Sequence, residues 1–299
     1  MPEKVKVLLD TDIGSDIDDA VCLAYLLSHP RCELLGITTV TGMPVERAML
    51  ASALCRRARK EIPIYPGVAQ PLLLTQRQPV AQQAAALEPW PHADKFPRGE
   101  AVEFLRRTIR KHPGEVVLLT IAPLTNVGLL FAADPEIPAL LKGLVMMCGR
   151  FFDPVPKGYS PVEWNAVVDA HASAIVYRAG VDLHRSVGLD VTSQVSMSRE
   201  EFRSTFRSTP LFEPILAWAE IWFKDWPVTT YHDPLAAATI FEPDLCTYRS
   251  GKVSVCLDPG ENFGGTLFEA EGHETAHSVA ASVDAGRFFD HYKSVLLTS

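Results

Sequence analysis

The sequence predicts an α/β protein whose open, mostly parallel sheet carries helices on both faces and places a site at the C-terminal ends of its strands. Short apolar segments rich in β-branched residues alternate with helical segments along the chain, which is typical of such sheets. Polar clusters follow several of these segments, and open α/β sheets bind their ligands where the strands end. The 299 residues are 47% hydrophobic and can bury a large core, so we expect one domain over residues 1–299.

The alternation of strands and helices can be followed from the amino terminus. The predicted strands are Val5–Leu9, Glu33–Val40, Ile62–Tyr65, Glu115–Ile121, Leu144–Cys148 and Asp182–Val187. The predicted helices are Ala20–Leu27, Pro44–Lys60, Glu100–Lys111, Thr125–Ala133 and Asp169–Ala179. Between them, the Gln- and Pro-rich segment Leu72–Arg98 is expected to form a long irregular connection that covers the site.

Charge and composition exclude several classes of partner. The net charge is −8 and the basic residues are scattered, so we expect no nucleic-acid polymer as partner and favour a small neutral or cationic ligand. The six cysteines lie singly, without CxxC spacing, and are expected to be reduced core residues. The first residues lack the pattern of a signal peptide and no apolar run is long enough to span a bilayer, so we expect a cytoplasmic protein with no membrane contact.

The stretch LLDTDIGSDIDDA crowds five carboxylates between a strand and a helix, at Asp10, Asp12, Asp16, Asp18 and Asp19. Carboxylates this close repel one another, so the cluster holds either protons or a cation. Because all the available ligands are oxygens, calcium or magnesium is favoured over zinc. Helix capping and the helix dipole explain one or two of these acids. They do not explain five beside a strand with no basic residue between Lys6 and Arg31.

This stretch resembles the amino-terminal signature DxDPGxDDA of the inosine-uridine nucleoside hydrolase family. Ile13 stands where the family has Pro, and two extra residues precede the Asp pair. The resemblance implies that Asp12 is the metal-bound base, that Asp18 binds ribose and that Asp19 is a second calcium ligand. Asp16 has no counterpart in the family signature.

Four further blocks resemble the family in the same order. TTVTG is similar to TTVxGN, with Met43 in place of Asn, so a hydrogen-bonding side chain near the water or sugar is lost. TIAPLTN and MMCG are similar to the next two blocks. They imply a backbone carbonyl ligand to calcium at Ile121 and a substrate contact at Met147. VEWNAVVD is similar to AEFNxxxDP, which implies that Glu163 and Asn165 bind the ribose hydroxyls.

The last of these blocks is YHDPLA, which resembles the family's HDPLA. It implies that Asp233 completes the calcium shell and that His232 is a general acid toward the leaving base; by itself, such a pair more often opens a helix as an N-cap. Upstream, Trp218, Trp222 and Trp226 follow helical spacing, which is typical of a core. The alternative is that Trp222 or Trp226 stacks on a nucleobase, and we assign Trp222 to substrate binding.

The tail resembles the family's closing helix, and the resemblance implies that Phe288 packs against the core. His273 and His277, in the preceding GHETAH stretch, have no expected role.

Taken over the whole chain, the resemblance implies a calcium-dependent ribonucleoside hydrolase that releases ribose and free base. Calcium and Asp12 would activate a water, His232 would protonate the base, and inversion is expected at the sugar. The partner is a small nucleoside, and we expect a homo-oligomer, either a dimer or a tetramer. Two alternatives stay open. One is a magnesium-dependent phosphatase of the haloacid-dehalogenase type, although those place Thr or Val where Gly14 stands. The other is a noncatalytic nucleoside- or ribose-binding protein.

Overall fold

A nine-stranded sheet and a small two-stranded sheet organise the computed structural model, which describes residues 3–270 and 277–297. The strands, in chain order, are β1 Val5–Thr11, β2 Cys32–Thr39, β3 Ile64–Pro66, β4 Val116–Thr120, β5 Gly143–Met146, β6 His184–Ser186, β7 Ser196–Ser198, β8 Val228–Thr230, β9 Cys246–Val255, β10 Thr266–Ala270 and β11 His277–Val283. The large sheet has the order β10-β9-β11-β6-β5-β4-β1-β2-β3, and β7 pairs with β8.

Seven neighbouring strands of the large sheet, from β11 to β3, run parallel. β9 and β10 add an antiparallel edge beside β11. The central strands are parallel because each is followed by a helix that returns the chain to the same end of the sheet. The predicted open, mostly parallel α/β sheet is therefore confirmed.

Helices cover both faces of the sheet. In chain order they are α1 Asp18–Ser28, α2 Pro44–Arg57, α3 Ala101–Lys111, α4 Thr125–Ala133, α5 Ile137–Leu140, α6 Trp164–Val168, α7 Ala170–Tyr177, α8 Leu189–Thr192, α9 Arg199–Phe206, α10 Phe212–Trp222, α11 His232–Phe241 and α12 Ala285–Leu297. Alternate residues of β1 reach different cores: Val7 and Leu9 pack with α1, α2 and α11, whereas Leu8 packs with α3, α4 and α7. In the described part of the chain, no helix is long and apolar enough to cross a lipid bilayer.

The predicted elements lie at the observed positions, with ends shifted by a few residues. β1 continues to Thr11, so Asp10 belongs to the strand itself, and α1 begins at Asp18. The segment between Leu72 and Arg98 is irregular as expected, apart from one 3-10 turn at Gln82–Ala86. Phe288 is fully buried, which confirms its expected packing.

Two regions were not expected from the sequence. The antiparallel edge formed by β9, β10 and β11 and the small sheet of β7 and β8 have no counterpart among the predicted strands. His277 begins β11, and its Nε2 is 2.9 Å from the Tyr177 carbonyl oxygen, whereas His273 lies outside the described residues.

Candidate active site

A cavity of about 1220 Å³ opens where the central strands end. Asp12 follows β1, Ile121 follows β4 and Met147 follows β5, so the ends of three neighbouring strands contribute to one wall. The cavity brings together every residue that the sequence assigns to the site, namely Asp12, Asp18, Asp19, Ile121, Met147, Glu163, Asn165, Trp222, His232 and Asp233.

The loop between β1 and α1 is shaped by Gly14, and Arg47 holds its backbone by hydrogen bonds. Gly14 has φ +119°, and a Cβ there would lie 2.7 Å from Leu50 Cδ1, so the tight turn requires glycine. Arg47, from α2, is fully buried and donates hydrogen bonds from its guanidinium to the backbone carbonyls of Asp12 and Ile13. The sequence around the loop offers no basic partner, but the fold brings one from 35 residues away.

Three carboxylates form the tightest group in the cavity. Asp18, Asp19 and Asp233 each place an oxygen within 4.8 Å of the others, and all three are buried. Burial, followed by repulsion from neighbouring aspartates, raises their pKa values well above the usual range. Thr11 Oγ1, which donates to Asp19, and the Asp233 N–H, which donates to Asp18 Oδ2 at 3.1 Å, offset part of this cost, and so does the positive charge of Arg47 near Asp19. An all-oxygen, anionic group of this kind fits a hard divalent cation.

Helix capping does not explain these acids. The N-cap of α1 is Ile17 and the N-cap of α11 is Tyr231, and neither makes a side-chain capping hydrogen bond. Asp18 and Asp19 are the first residues of α1, and Asp233 is the second residue of α11, so the two helix starts face one another across the group.

The remaining acids of the loop have different surroundings. Asp16 lines the cavity, and burial raises its pKa to about 7. Asp10 is fully buried in the sheet, where its Oδ1 accepts hydrogen bonds from Thr38 Oγ1 at 2.6 Å and Asn126 Nδ2 at 2.7 Å. Burial raises the pKa of Asp10 to about 7 as well. Asp10 therefore forms hydrogen bonds within the sheet, and the other four loop aspartates line the cavity.

Glu163 and Asn165 stand together at the start of α6. The Glu163 carboxylate is the N-cap of this helix and accepts from the backbone N–H groups of Asn165, Ala166 and Gly149 at 2.7 to 2.9 Å. Asn165 donates from Nδ2 to the Met147 carbonyl oxygen at 3.0 Å. Both polar side chains are thus held rigidly beside the cavity that they line.

His232 begins α11 and is oriented by a hydroxyl. Its Nδ1 lies 2.7 Å from Thr192 Oγ1, which leaves Nε2 for the cavity. Tyr159 packs edge-on against the His232 ring, with ring centres 5.7 Å apart. Burial lowers the pKa of His232 to about 4, so the ring is neutral at neutral pH.

The tryptophans divide between core and cavity. Trp218 is fully buried in the core, as helical spacing favours. Trp222 and Trp226 stack on one another with ring centres 5.7 Å apart, and both line the cavity. Trp222 Nε1 donates to the Val228 carbonyl oxygen at 2.9 Å, which fixes the orientation of its ring.

A doubly wound parallel sheet with a carboxylate group at its strand ends is typical of α/β enzymes that bind a cation and a small polar ligand. Residues 7–290 match the family model described as inosine-uridine preferring nucleoside hydrolase, and the chain belongs to this family of metal-dependent enzymes. It therefore acts on N-glycosyl compounds and hydrolyses the N-glycosidic bond of small ribonucleosides. The predicted family and reaction are confirmed, which sets aside the phosphatase and the binding protein.

Individual relatives differ in the base that their names specify. A probable uridine nucleosidase 1 from Oryza sativa subsp. japonica is 30% identical over 268 residues, which cover 84% of this chain and 81% of the relative. The solved structure of a plant nucleoside hydrolase, PpNRh1, has a TM-score of 0.85 and 25% identity and covers 100% of both chains. A purine-preferring ribonucleoside hydrolase from Gardnerella vaginalis shares the fold with a TM-score of 0.84, 23% identity and coverage of 97% and 98%.

Proposed function

We propose that the protein hydrolyses ribonucleosides with calcium held by Asp18, Asp19 and Asp233, together with Asp12 and the Ile121 carbonyl. The observation that carries this is the group of three buried carboxylates whose oxygens lie within 4.8 Å. Asp18 joins the group in addition to the ligands that the family resemblance implies, so it would serve both the cation and the ribose. A divalent cation bound there supplies positive charge that screens the carboxylates and makes a nearby water more acidic.

Asp12 is the proposed general base. Its carboxylate lies at the end of β1, and burial raises its pKa, which suits a group that takes a proton. The water oxygen would bond to C1′ of the ribose as the C1′–N bond breaks, and the water proton would pass to Asp12. Asp18, Glu163 and Asn165 would hold the ribose hydroxyls. With one base and no protein nucleophile, the product sugar should have inverted configuration, which NMR of the first-formed anomer tests.

The leaving base departs toward His232 and the tryptophans. If the Thr192 hydroxyl donates to Nδ1, the neutral His232 ring carries its proton on Nε2 and can donate it in a hydrogen bond to the departing base. Trp222 would stack on that base. Met147 would contact the substrate from the cavity wall, and its carbonyl oxygen holds Asn165 in place.

The direct test measures the release of free base from a panel of nucleosides by chromatography. The protein is first freed of metal with a chelator and then supplied with calcium or with magnesium. We expect turnover to return with calcium and to be several-fold lower with magnesium, because the pocket offers more carboxylate oxygens than an octahedral, water-retaining ion uses. Full activity in the chelated protein would contradict the metal assignment. The panel also identifies the preferred base, on which the named relatives differ.

We further propose one domain, a cytoplasmic location and a dimer or tetramer. β1 and β11 come from opposite ends of the chain and join one sheet, which supports a single cooperative unit. All six cysteines are free thiols, which fits a reducing compartment. Leu267 on the edge strand β10 is exposed, which supports contact with another copy. A single unfolding transition would support one domain. Light scattering on a sizing column would measure whether the protein is a dimer or a tetramer.

A further inference from the structure

The irregular segment between Leu72 and Arg98, here called the cover segment, reaches the cavity through one buried glutamine. Gln78 donates from Nε2 to Asp12 Oδ2 at 2.6 Å and to Ser15 Oγ at 2.8 Å. Its Oε1 accepts from Trp164 Nε1 at 2.8 Å. An indole N–H can only donate, so Oε1 must face Trp164 and the amide N–H groups must face Asp12 and Ser15. Three partners therefore fix this side chain.

Gln78 joins three walls of the cavity that are far apart in the sequence. Asp12 and Ser15 belong to the loop after β1, Trp164 begins α6 beside Glu163, and Gln78 itself comes from the cover segment. Ser15 Oγ also accepts from Arg47 Nη2 at 3.1 Å, and Arg47 donates to the Asp12 carbonyl. Asp12 is thus held at its backbone by Arg47 and at its carboxylate by Gln78.

The position of the cover segment is itself built into the fold. The Gln78 N–H donates to Gln76 Oε1 at 2.7 Å, and Thr41 Oγ1 donates to the same oxygen at 3.1 Å. A Cβ at Gly42 would lie 2.5 Å from the Gln78 carbonyl oxygen, so the backbone of the segment rests directly on this glycine. The turn has φ of 66° at Thr41 and 59° at Met43, an uncommon conformation that the docked segment helps to hold.

We infer that Gln78 is a positioning residue for Asp12, and that Trp164 locks Gln78 in place. By occupying Oδ2, the amide leaves Oδ1 of Asp12 for the cation and the water. Gln78 touches no reacting atom in this scheme and acts only through the carboxylate. Small errors in the placement of a catalytic group are costly, so loss of the amide should slow the chemical step. This inference rests on the proposed role of Asp12 as base.

The test compares Gln78→Met, Trp164→Phe and the double variant in the calcium-loaded protein. Methionine keeps the length of the side chain but cannot donate. We expect kcat for the best nucleoside of the panel to fall roughly ten- to a hundredfold in Gln78→Met, as for loss of a hydrogen bond to a charged group, with KM within about threefold. Trp164→Phe should lower kcat less, and the double variant should be no slower than Gln78→Met, because both changes break one chain of contacts.

Calcium affinity, measured by titration calorimetry, is the readout that separates positioning from structure, and it should stay within about threefold in all three variants. The matched control is Leu73→Ala, because Leu73 belongs to the same segment, is exposed and does not line the cavity, so kcat should stay unchanged. Unchanged kcat in Gln78→Met overturns the inference. A loss in calcium affinity as large as the loss in kcat, or an equal loss of kcat in Leu73→Ala, also overturns it.

If Gln78→Met does not fold, Trp164→Phe becomes the test, because it keeps the Gln78 amide and removes only its contact with the indole. Unchanged kcat in Trp164→Phe then overturns the inference. Asp12→Asn separates this outcome from the proposed function. If Asp12→Asn keeps its activity, the role of Asp12 as base is wrong. If it is inactive while Gln78→Met is fully active, only the inference about Gln78 is wrong.

Discussion

At the scale of single residues, the group formed by Asp18, Asp19 and Asp233 carries a high electrostatic cost, because burial and mutual repulsion raise all three pKa values. Three buried carboxylates with oxygens within 4.8 Å are held by few hydrogen bonds, so a cation is the partner that compensates for them. Asp19→Ala and Asp233→Ala should each lose tightly bound calcium and most activity while the fold survives, because each removes an oxygen from a shell of six to eight. Metal analysis of the purified variants measures this.

The control for the metal prediction is Asp10→Asn. Asp10 is fully buried in the sheet with Thr38 and Asn126, so we expect this variant to change Tm and to keep its calcium. A full equivalent of tightly bound calcium in both Asp19→Ala and Asp233→Ala would show that the metal lies elsewhere.

His232 gives the second prediction at this scale. A purine base leaves more readily when it receives a hydrogen bond or a proton, whereas p-nitrophenolate is already a stable anion. His232→Ala should therefore lower kcat for inosine on the order of a hundredfold and have little effect on p-nitrophenyl riboside. The metal should remain bound. Equal losses on the two substrates would indicate that His232 only supports the fold.

The sequence could predict the residues of the cavity better than the contacts that orient them. Asp12, Asp18, Glu163 and His232 lie in compact motifs, and a motif is readable without the fold. Arg47, Gln78 and Thr192 contact those residues from 35, 66 and 40 positions away, and each occurs in an ordinary helical or loop sequence. Arg47, for example, follows Glu46 near the start of α2, where a charged residue is ordinary.

At the scale of secondary-structure elements, the parallel strands were readable and the antiparallel edge was not. β1 and β4 are buried on both faces and therefore appear as continuous apolar runs. β9 and β10 are largely exposed, contain charged residues and lie at the end of the sheet, so their sequences resemble surface loops. Their place becomes evident only from the pairing of β9 with β11 and of β10 with β9.

The docking of the cover segment on the turn after β2 leads to a prediction for Gly42. A methyl group at this position would lie 2.5 Å from backbone atoms of Gln78 and Pro79, so the segment must move. Gly42→Ala should lower both kcat and Tm, because the displaced segment no longer presents Gln78 to Asp12. Gly180→Ala is the matched control, since no atom lies within 4 Å of a Cβ there. Similar kinetics in Gly42→Ala and the parent protein would show that the segment does not affect the site.

At the scale of the whole molecule, stability should depend jointly on pH and calcium. Burial and mutual repulsion raise the pKa values of Asp18, Asp19 and Asp233, so the folded chain without metal holds protons that the unfolded chain releases above about pH 4. Their contribution to stability is fully present below the unfolded pKa and is lost as the pH rises through the folded pKa. Buried His184 acts in the opposite direction. Burial lowers its pKa, so it stays neutral in the folded chain while the unfolded chain takes up a proton below about pH 6.5, and the folded state loses stability there.

Calcium should distinguish the two effects, because the proposed cation would replace the protons on the carboxylates and leave the contribution of His184 unchanged. The rise in Tm caused by calcium should therefore be small at pH 5 and large at pH 8, where calcium at a hundred times its Kd adds about 2.7 kcal/mol to the free energy of unfolding. For a chain of this length, that corresponds to a Tm shift on the order of 5 °C. Scanning calorimetry at both pH values, with and without calcium, measures the difference, and Asp233→Ala should show no shift at either pH. An equal calcium shift at pH 5 and pH 8 would mean that the cation does not bind where these carboxylates titrate.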